Sequence, residues 1–326
     1  MSSNTYDNKP TINNSETLFI YEARLCNPNG DPDDENKPRI DPKTRVNLVS
    51  DVRLKRFFRN YIIAKYGEDK IWVSTVNGSH TDAGGRLDAL LEKSNKKKDD
   101  SNILNVVLEN CIDARLFGAT IPIKGKDKER GESYSIIGPV QFTWGFSLHP
   151  VELVDSPTIT SMFKGRETEA EAGTIGKDWR LYYSLIAFYG VVNSMRAKNS
   201  MLRVDDVKLL DNMLWESVVT DATTRSKIGH IPHLYLRIEY NDNNRNHLLG
   251  DLRRFISVKA KEGRPIRNLE DLEIDLSRLR EQLQNNKDKI ENIYIRYSDE
   301  FRNLISLSDL KDINIIGLPH AKITLQ

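Results

Sequence analysis

The chain has 326 residues, 38% of them hydrophobic and 29% charged, and its 48 Lys and Arg nearly match its 47 Asp and Glu for a net charge of +1. That composition excludes wholesale disorder, allows one elaborated domain or two, and gives no overall charge that would call for a polyanionic partner. No apolar run approaches the ~20 residues of a membrane span. The opening MSSNTYDNKPTINNSE is polar where a secretory signal would be apolar, and two cysteines, Cys26 and Cys111, are too few for a disulfide framework or a cysteine zinc site. These features predict a cytoplasmic protein without a membrane partner.

Residues 17–26, TLFIYEARLC, alternate as a strand with Phe19, Tyr21, Ala23 and Leu25 on one face. The stretch CNPNGDPDDENKPRIDPKTR follows, twenty residues with four prolines, five acids and four bases and little to bury. Asn-Pro-Asn-Gly-Asp-Pro is the chemistry of successive turns. From Ser50, an N-cap residue with Asp51 in the first turn, SDVRLKRFFRNYIIAKYG predicts a helix that stops at Gly67. Between Lys37 and Lys65 nine Lys or Arg face only Asp41 and Asp51, a local excess of +7 hidden by acidic surroundings.

At about 100° per residue, Leu54, Phe57, Phe58, Tyr61 and Ile62 share one side of this helix, and Arg53, Lys55, Arg56 and Arg59 share the other with Arg45 leading in. A charged outer face is the plain account of any amphipathic helix. A solvated face usually mixes signs, however, and this one is nearly all basic, which suits phosphate contact.

Residues 68–110 read as an irregular insertion with a helical RLDALLEK and a solvated SNKKKDD, and a helix then leads into CIDARLFG. A strand is predicted over 138–148 and another over 180–192, with no periodicity across 150–178. The last third predicts a helix near 205–221, a strand at 232–240, helices near 246–256 and 270–286, a strand at 290–297, a short helix and a closing strand, INIIGL. This order implies an α+β fold, an open sheet with helices on one side.

Motifs for catalysis are weak. Asp31, Asp33, Asp34 and Glu35 suggest oxygen ligands for calcium or magnesium, but Pro32 breaks the register and the glycine precedes the acids. The six histidines are dispersed, and no nucleotide-binding or nucleophile-elbow fingerprint occurs. No cofactor or metal is predicted. Basic and apolar residues interleave in ARLFG (Arg115), MFKGR (Met162, Phe163, Lys164, Arg166) and GKDWR (Lys177, Trp179), a mixture that suits single-stranded nucleic acid.

LFIYEARLCNPNGDPDDENKPRID with VSDVRLKRFFRNYI, then DARLFGA, IIGPVQFTWGFSLHPV and AGTIGKDWRLYYSLIAFYGVVN in order, resemble the Cascade backbone proteins of CRISPR systems. These form the seventh Cas family of the RAMP superfamily, here closest to its subtype I-B and I-C branches. The resemblance implies a palm like an RNA-recognition motif or ferredoxin, with an inserted finger region and a thumb hairpin. It divides the chain into a tail (1–16), palm (17–66), finger (67–112), central palm strands (113–146), thumb (147–178) and the rest of the palm with C-terminal helices (179–326). It further implies that Arg39, Lys55, Arg56 and Arg59 grip a guide RNA, and that Met162 or Phe163 wedges into guide–target pairing. The implied partners are the CRISPR guide RNA, the paired target DNA strand, further copies of the chain and other Cascade subunits. The group Asp205, Asp206 and Asp211 would meet a neighbour's basic surface. Type I relatives are non-catalytic. The alternatives are a metal-dependent target-RNA endoribonuclease of the type III kind, with Asp31, Asp33 or Asp34 in its loop, and a general single-stranded RNA-binding protein.

Overall fold

The computed structural model describes residues 12–96, 100–123, 132–160, 175–244, 247–305, 310 and 312–318. Eight strands form one sheet: β1 (Ser15–Cys26), β2 (Val46–Val49), β3 (Val140–Phe142), β4 (Gly145–Pro150), β5 (Leu181–Val192), β6 (His230–Tyr240), β7 (Ile290–Tyr297) and β8 (Asn314–Gly317). Their order is β8–β7–β6–β1–β5–β4–β2, with β3 also on β5, and every pairing is antiparallel except β7 with β8. The fold is α+β.

Helices cover both faces of this sheet, not the one predicted. Phe19 and Tyr21 of β1 pack with Phe57 of α1 (Asp51–Tyr66). The same cluster includes Leu210 and Met213 of an eighteen-residue helix, Val204–Asp221. On the other face Leu18 and Ile20 pack with Leu252 and Phe255 of a single 3-10 turn and with Leu279 and Leu283 of the helix Ser277–Asn285. The first nine residues of β1 are all buried, because TLFIYEA is apolar at even and odd positions alike. Leu25 leaves the face predicted for it: its backbone turns to φ 48° and the side chain is 48% exposed.

The helix predicted over 246–256 reduces to that 3-10 turn, Leu252–Phe255. Within 270–286, Leu272–Asp275 is a strand paired to Ser257–Ala260, and only Ser277–Asn285 is helical. The predicted strand over 138–148 breaks in two, since β3 and β4 both pair with β5 and Thr143 and Trp144 bulge between them. A bulge re-aims its side chains. Trp144 accordingly stands 48% exposed.

The insertion has a small core of its own, where Trp72, Leu87 and Leu90 pack with Ile103 and Val107. Ala119 and Ile121 join it from the hairpin Gly118–Ile123 with Glu132–Ile137, so this core runs past residue 112 into the stretch predicted as central palm strands. Gly118 (φ +92°) and Gly138 let the hairpin close on the main chain: a Cβ on Gly138 would lie 2.2 Å from the Phe117 carbonyl carbon.

Three buried arginines tie these parts together. Arg59 of α1 donates to Asp113 at 2.8 Å, and Asp113 also accepts from the Trp72 and Val73 amides. Arg115 forks onto Asp206 through two 2.7 Å bonds and caps the Leu108 carbonyl. Arg237 forks likewise onto Asp211, which accepts a third bond from the Tyr235 hydroxyl at 2.6 Å. Those neighbours hold the Arg237 guanidinium well above its usual range despite burial. Of the acidic group predicted to meet a neighbouring copy, Asp206 and Asp211 are therefore interior, and only Asp205 is exposed.

Breaking a buried pair leaves an uncompensated charge, which costs ~3–5 kcal/mol. Asp206→Ala should lower the unfolding free energy by that amount, and the urea midpoint with it at unchanged slope, whereas Arg56→Ala on the exposed side of α1 should change stability by less than about 0.5 kcal/mol. Equal midpoints for the two variants would show that the Arg115–Asp206 pair does not hold the helices together.

Candidate nucleic-acid interface

Residues 27–45 are an ordered loop. Asn29 Oδ1 accepts from both the Ser50 amide (2.9 Å) and the Ser50 hydroxyl (3.0 Å), which fastens the loop to the N-cap of α1. Ser50 in turn caps Arg53, and Gly67 (φ 95°) ends the helix. Lys227 donates to the Asn27 carbonyl and to that of Pro28 (3.3 Å). Burial, with Arg53 nearby, pulls the Lys227 ammonium down to about 8. At the tip, Gly30–Asp31 pairs with Lys37–Pro38, and the turn uses left-handed backbone at Glu35 and Asn36.

The acids of the loop serve this turn chemistry. Asp31 Oδ1 accepts from the Asp33 amide (3.2 Å) and from Arg39 (3.4 Å), and Asp34 pairs with Lys37 (2.7 Å). Asp41 accepts from the Thr44 and Lys43 amides, which hold its carboxyl below the usual range. Among the described residues no group of three or more His, Cys, Asp or Glu is placed to hold a metal ion.

Bases and aromatic rings gather along the loop. Arg39 lies 5.9 Å from the exposed Trp144 ring and donates to the Gly30 carbonyl at 3.2 Å. Lys37 lies 5.0 Å and Lys177 5.9 Å from the ring of Trp179. Lys177 also grips Glu35 through 2.7 and 2.8 Å bonds, which lower the Glu35 carboxyl below its usual range and join the loop to the two-stranded pair Thr158–Thr160 with Ile175–Lys177. Arg180 and Arg225 converge on Asp178 next door. Arg45 is exposed at the end of the loop, where β2 begins.

The basic ridge predicted on α1 is narrower than its wheel. Arg56 is exposed. Arg53 pairs with Asp221 and covers the Phe57 ring, and Lys55 bonds Asp51 (2.9 Å) and Gln141 (3.3 Å). Arg59 does not lie beside Arg56 as a second phosphate ligand, because it is buried and meets Asp113 at 2.8 Å. Arg115 is likewise withdrawn, 3% exposed inside its pair with Asp206. Both are corrected from surface contacts to interior struts. Met162, Phe163, Lys164 and Arg166 lie outside the described residues.

Sequence reading missed Trp144 and Lys227. A tryptophan between Thr143 and Gly145, interrupting an otherwise alternating strand, was the available signal for the first. Nothing local marks Lys227, whose role depends on the loop two hundred residues earlier in the chain. Three of the five described histidines, His149, His230 and His233, are buried: His149 Nε2 accepts from the Leu185 amide at 3.1 Å, while His230 packs edge-on against Tyr21 and Phe57. Among the described residues no helix is long and apolar enough to cross a membrane.

Two solved structures, described as "CRISPR RNA-guided surveillance complex, pre-nicking" and "CRISPR RNA-guided surveillance complex", match 93% of this chain and 95% and 94% of theirs, with TM-scores of 0.53 and 0.51. At 13% and 14% identity that likeness is one of fold. The CRISPR-associated protein Cas7 of Haloferax volcanii is 31% identical over 298 residues, 87% of each chain. The sequence model of the family described as CRISPR-associated protein Cas7 matches residues 13–277, and with that relative it establishes that the chain belongs to the Cas7 family, the backbone proteins of CRISPR effector complexes.

Proposed function

We propose that this chain is the guide-RNA-binding backbone subunit of a type I CRISPR interference complex. In this role it assembles side by side with copies of itself along the guide in the cytoplasm, contacts other Cascade subunits and supports pairing of the guide with a target DNA strand. The observation that carries the reading is the loop 27–45, which joins the N-terminus of α1, the Trp144 bulge and the Lys177 strand. Bases alternate with two tryptophans along it, and none of the contacts is a base-reading motif. Guide–target pairing carries sequence information, so the protein needs only backbone grip and shape.

The strand order β6–β1–β5–β4, with α1 and the helix Val204–Asp221 on one face, supports a ferredoxin-like palm. On that reading the insertion with its own core is the finger, and the pair Thr158–Thr160 with Ile175–Lys177 is the base of the thumb. The subunit acts as a scaffold without catalysis, a reading favoured by Asp31 and Asp34 each being engaged by a base of the same loop.

Each phosphate contact on a single strand adds about 0.7 to the slope of log affinity against log salt. Arg56→Ala and Arg45→Ala should each reduce the slope for guide RNA by about that amount and leave the denaturation curve in place. Trp144→Ala should cost ~1–3 kcal/mol of binding with no change of slope, the signature of lost stacking. Unaltered affinity in all three variants would remove the loop from the RNA interface.

Guide-loaded complex incubated with labelled complementary RNA and magnesium should leave it intact. Regularly spaced cuts that disappear in Asp31→Ala would replace the scaffold reading with the target-RNA endoribonuclease.

A further inference from the structure

On the sheet face opposite α1, a cavity of about 570 Å³ opens between the C-terminal end of β1, the start of β6, the short strand Leu272–Asp275 and the chain at Glu300 and Leu304. Its volume lies in the range of small-ligand sites. Its walls are aliphatic, with Ile231, Leu272 and Ile274 among them, and its polar groups are unbalanced. Glu22, Glu270 and Glu300 contribute three carboxylates and Asn268 an amide, while Arg24 and His233 are the only basic side chains lining it.

The floor is built and incompletely satisfied. Glu22 is 7% exposed, and its Oε2 accepts from the Tyr183 hydroxyl at 2.8 Å. His233, 3% exposed, is fixed by its Nδ1 contact with Ser298 Oγ at 2.9 Å and by stacking on Phe301 at 5.1 Å. Its Nε2 lies 3.2 Å from the same Glu22 oxygen, within ion-pair distance but outside hydrogen-bond geometry. Asn268 Oδ1 is a second buried polar atom without a donor. Buried polar groups are normally paired, and both of these atoms belong to residues that line this one cavity. At the rim Ser298 hydrogen-bonds Glu300 and keeps its carboxyl below the usual range, hence ionised.

We propose that this cavity binds an alkyl cation, an ammonium or guanidinium group carried on an aliphatic stem, supplied either by a free polyamine or by a lysine or arginine side chain of a partner polypeptide. The stem lies along the aliphatic wall and the head donates to the Glu270 and Glu300 carboxylates, with the Glu22 carboxylate on the floor below. An anion would meet three carboxylates. A bare metal ion fits less well, because among the described residues no three acidic or imidazole groups converge at ligand geometry. The site lies across the sheet from α1 and does not depend on the RNA-binding reading of the loop.

Calorimetric titration of the full chain with n-butylguanidine should show saturable binding, and n-butanol, the same stem without the charge, should show none. Glu270→Gln combined with Glu300→Gln should weaken the guanidine about tenfold, equivalent to ~1.4 kcal/mol, with the melting curve unmoved. Both substitutions are outside the buried Glu22 floor, and Arg56→Glu across the sheet should have no effect. Absence of saturable heat, equal binding of butanol, or binding unaffected by the glutamine variant would overturn the site. Hydrogen exchange of residues 268–274 in the assembled complex, dialysed free of amines, then separates the sources. Protection that persists identifies a partner's side chain, protection that appears only on adding spermidine identifies a free polyamine, and protection in neither state counts against the proposal.

Discussion

Strand Ser15–Cys26 runs through the middle of the sheet with Phe19 and Tyr21 under α1 on one side and Leu18 and Ile20 under the C-terminal elements on the other. An open-faced RNA-binding sheet stacks bases on aromatic side chains of its central strands. Here that surface is closed, because the rings that could have served are core residues at 0% exposure. On the function proposed above, a nucleic acid is left the rim of the sheet, where strands end and loops begin. The nineteen residues that follow β1 become intelligible under this constraint. A two-residue turn would end the strand as well, but it could not reach the α1 N-cap, the Trp144 bulge and the Lys177 strand together.

The same closure explains how charge is distributed. Arg59, Arg115 and Arg237 each run through apolar packing to a carboxylate from another element, at sequence separations of 54, 91 and 26 residues. Such pairs add little net stability over apolar side chains of the same shape, but they are costly to break, which makes them registers between elements more than sources of energy. They also neutralise one another locally. With 48 bases and 47 acids in the chain, the local excess of bases between Lys37 and Lys65 is offset by acidic residues elsewhere.

Legibility in the sequence follows the range of the forces involved. β1, β5, α1, the helix Val204–Asp221 and β7 rest on local periodicity and caps, and each lies within a few residues of where its pattern predicts it. The tract 246–275 was not legible, since DLEID forms a strand only because Ser257–Ala260 is there to pair with it. The site divides in the same way. Arg56 is exposed as its wheel position implies, but Arg59, three residues on, is decided by Asp113, which no helical wheel contains. The aromatic part of the rim was hidden for a related reason. Trp144 reads as one more strand residue until β3 and β4 are both seen to pair with β5, and only then does the bulge turn the ring outward.

The C-terminal end of β1 links the two polar regions of the molecule by the alternation of a strand. Tyr21 and Ala23 point toward α1, and Cys26 carries the chain into the loop, while Glu22 points the other way onto His233 and the opposite cavity. Between them Arg24 and Leu25 are exposed, and the Leu25 carbonyl is held by Arg180, itself bound to Asp178 beside Lys177. The strand must keep its register for Glu22 to stay under His233 and for Asn29 to reach Ser50, since a one-residue slip would exchange the two faces. Nine consecutive buried residues fix that register on both sides at once. A charged loop full of turns can thus be ordered at the edge of a sheet, because its position is set by the core strand before it and its own hydrogen bonds have only to hold it there.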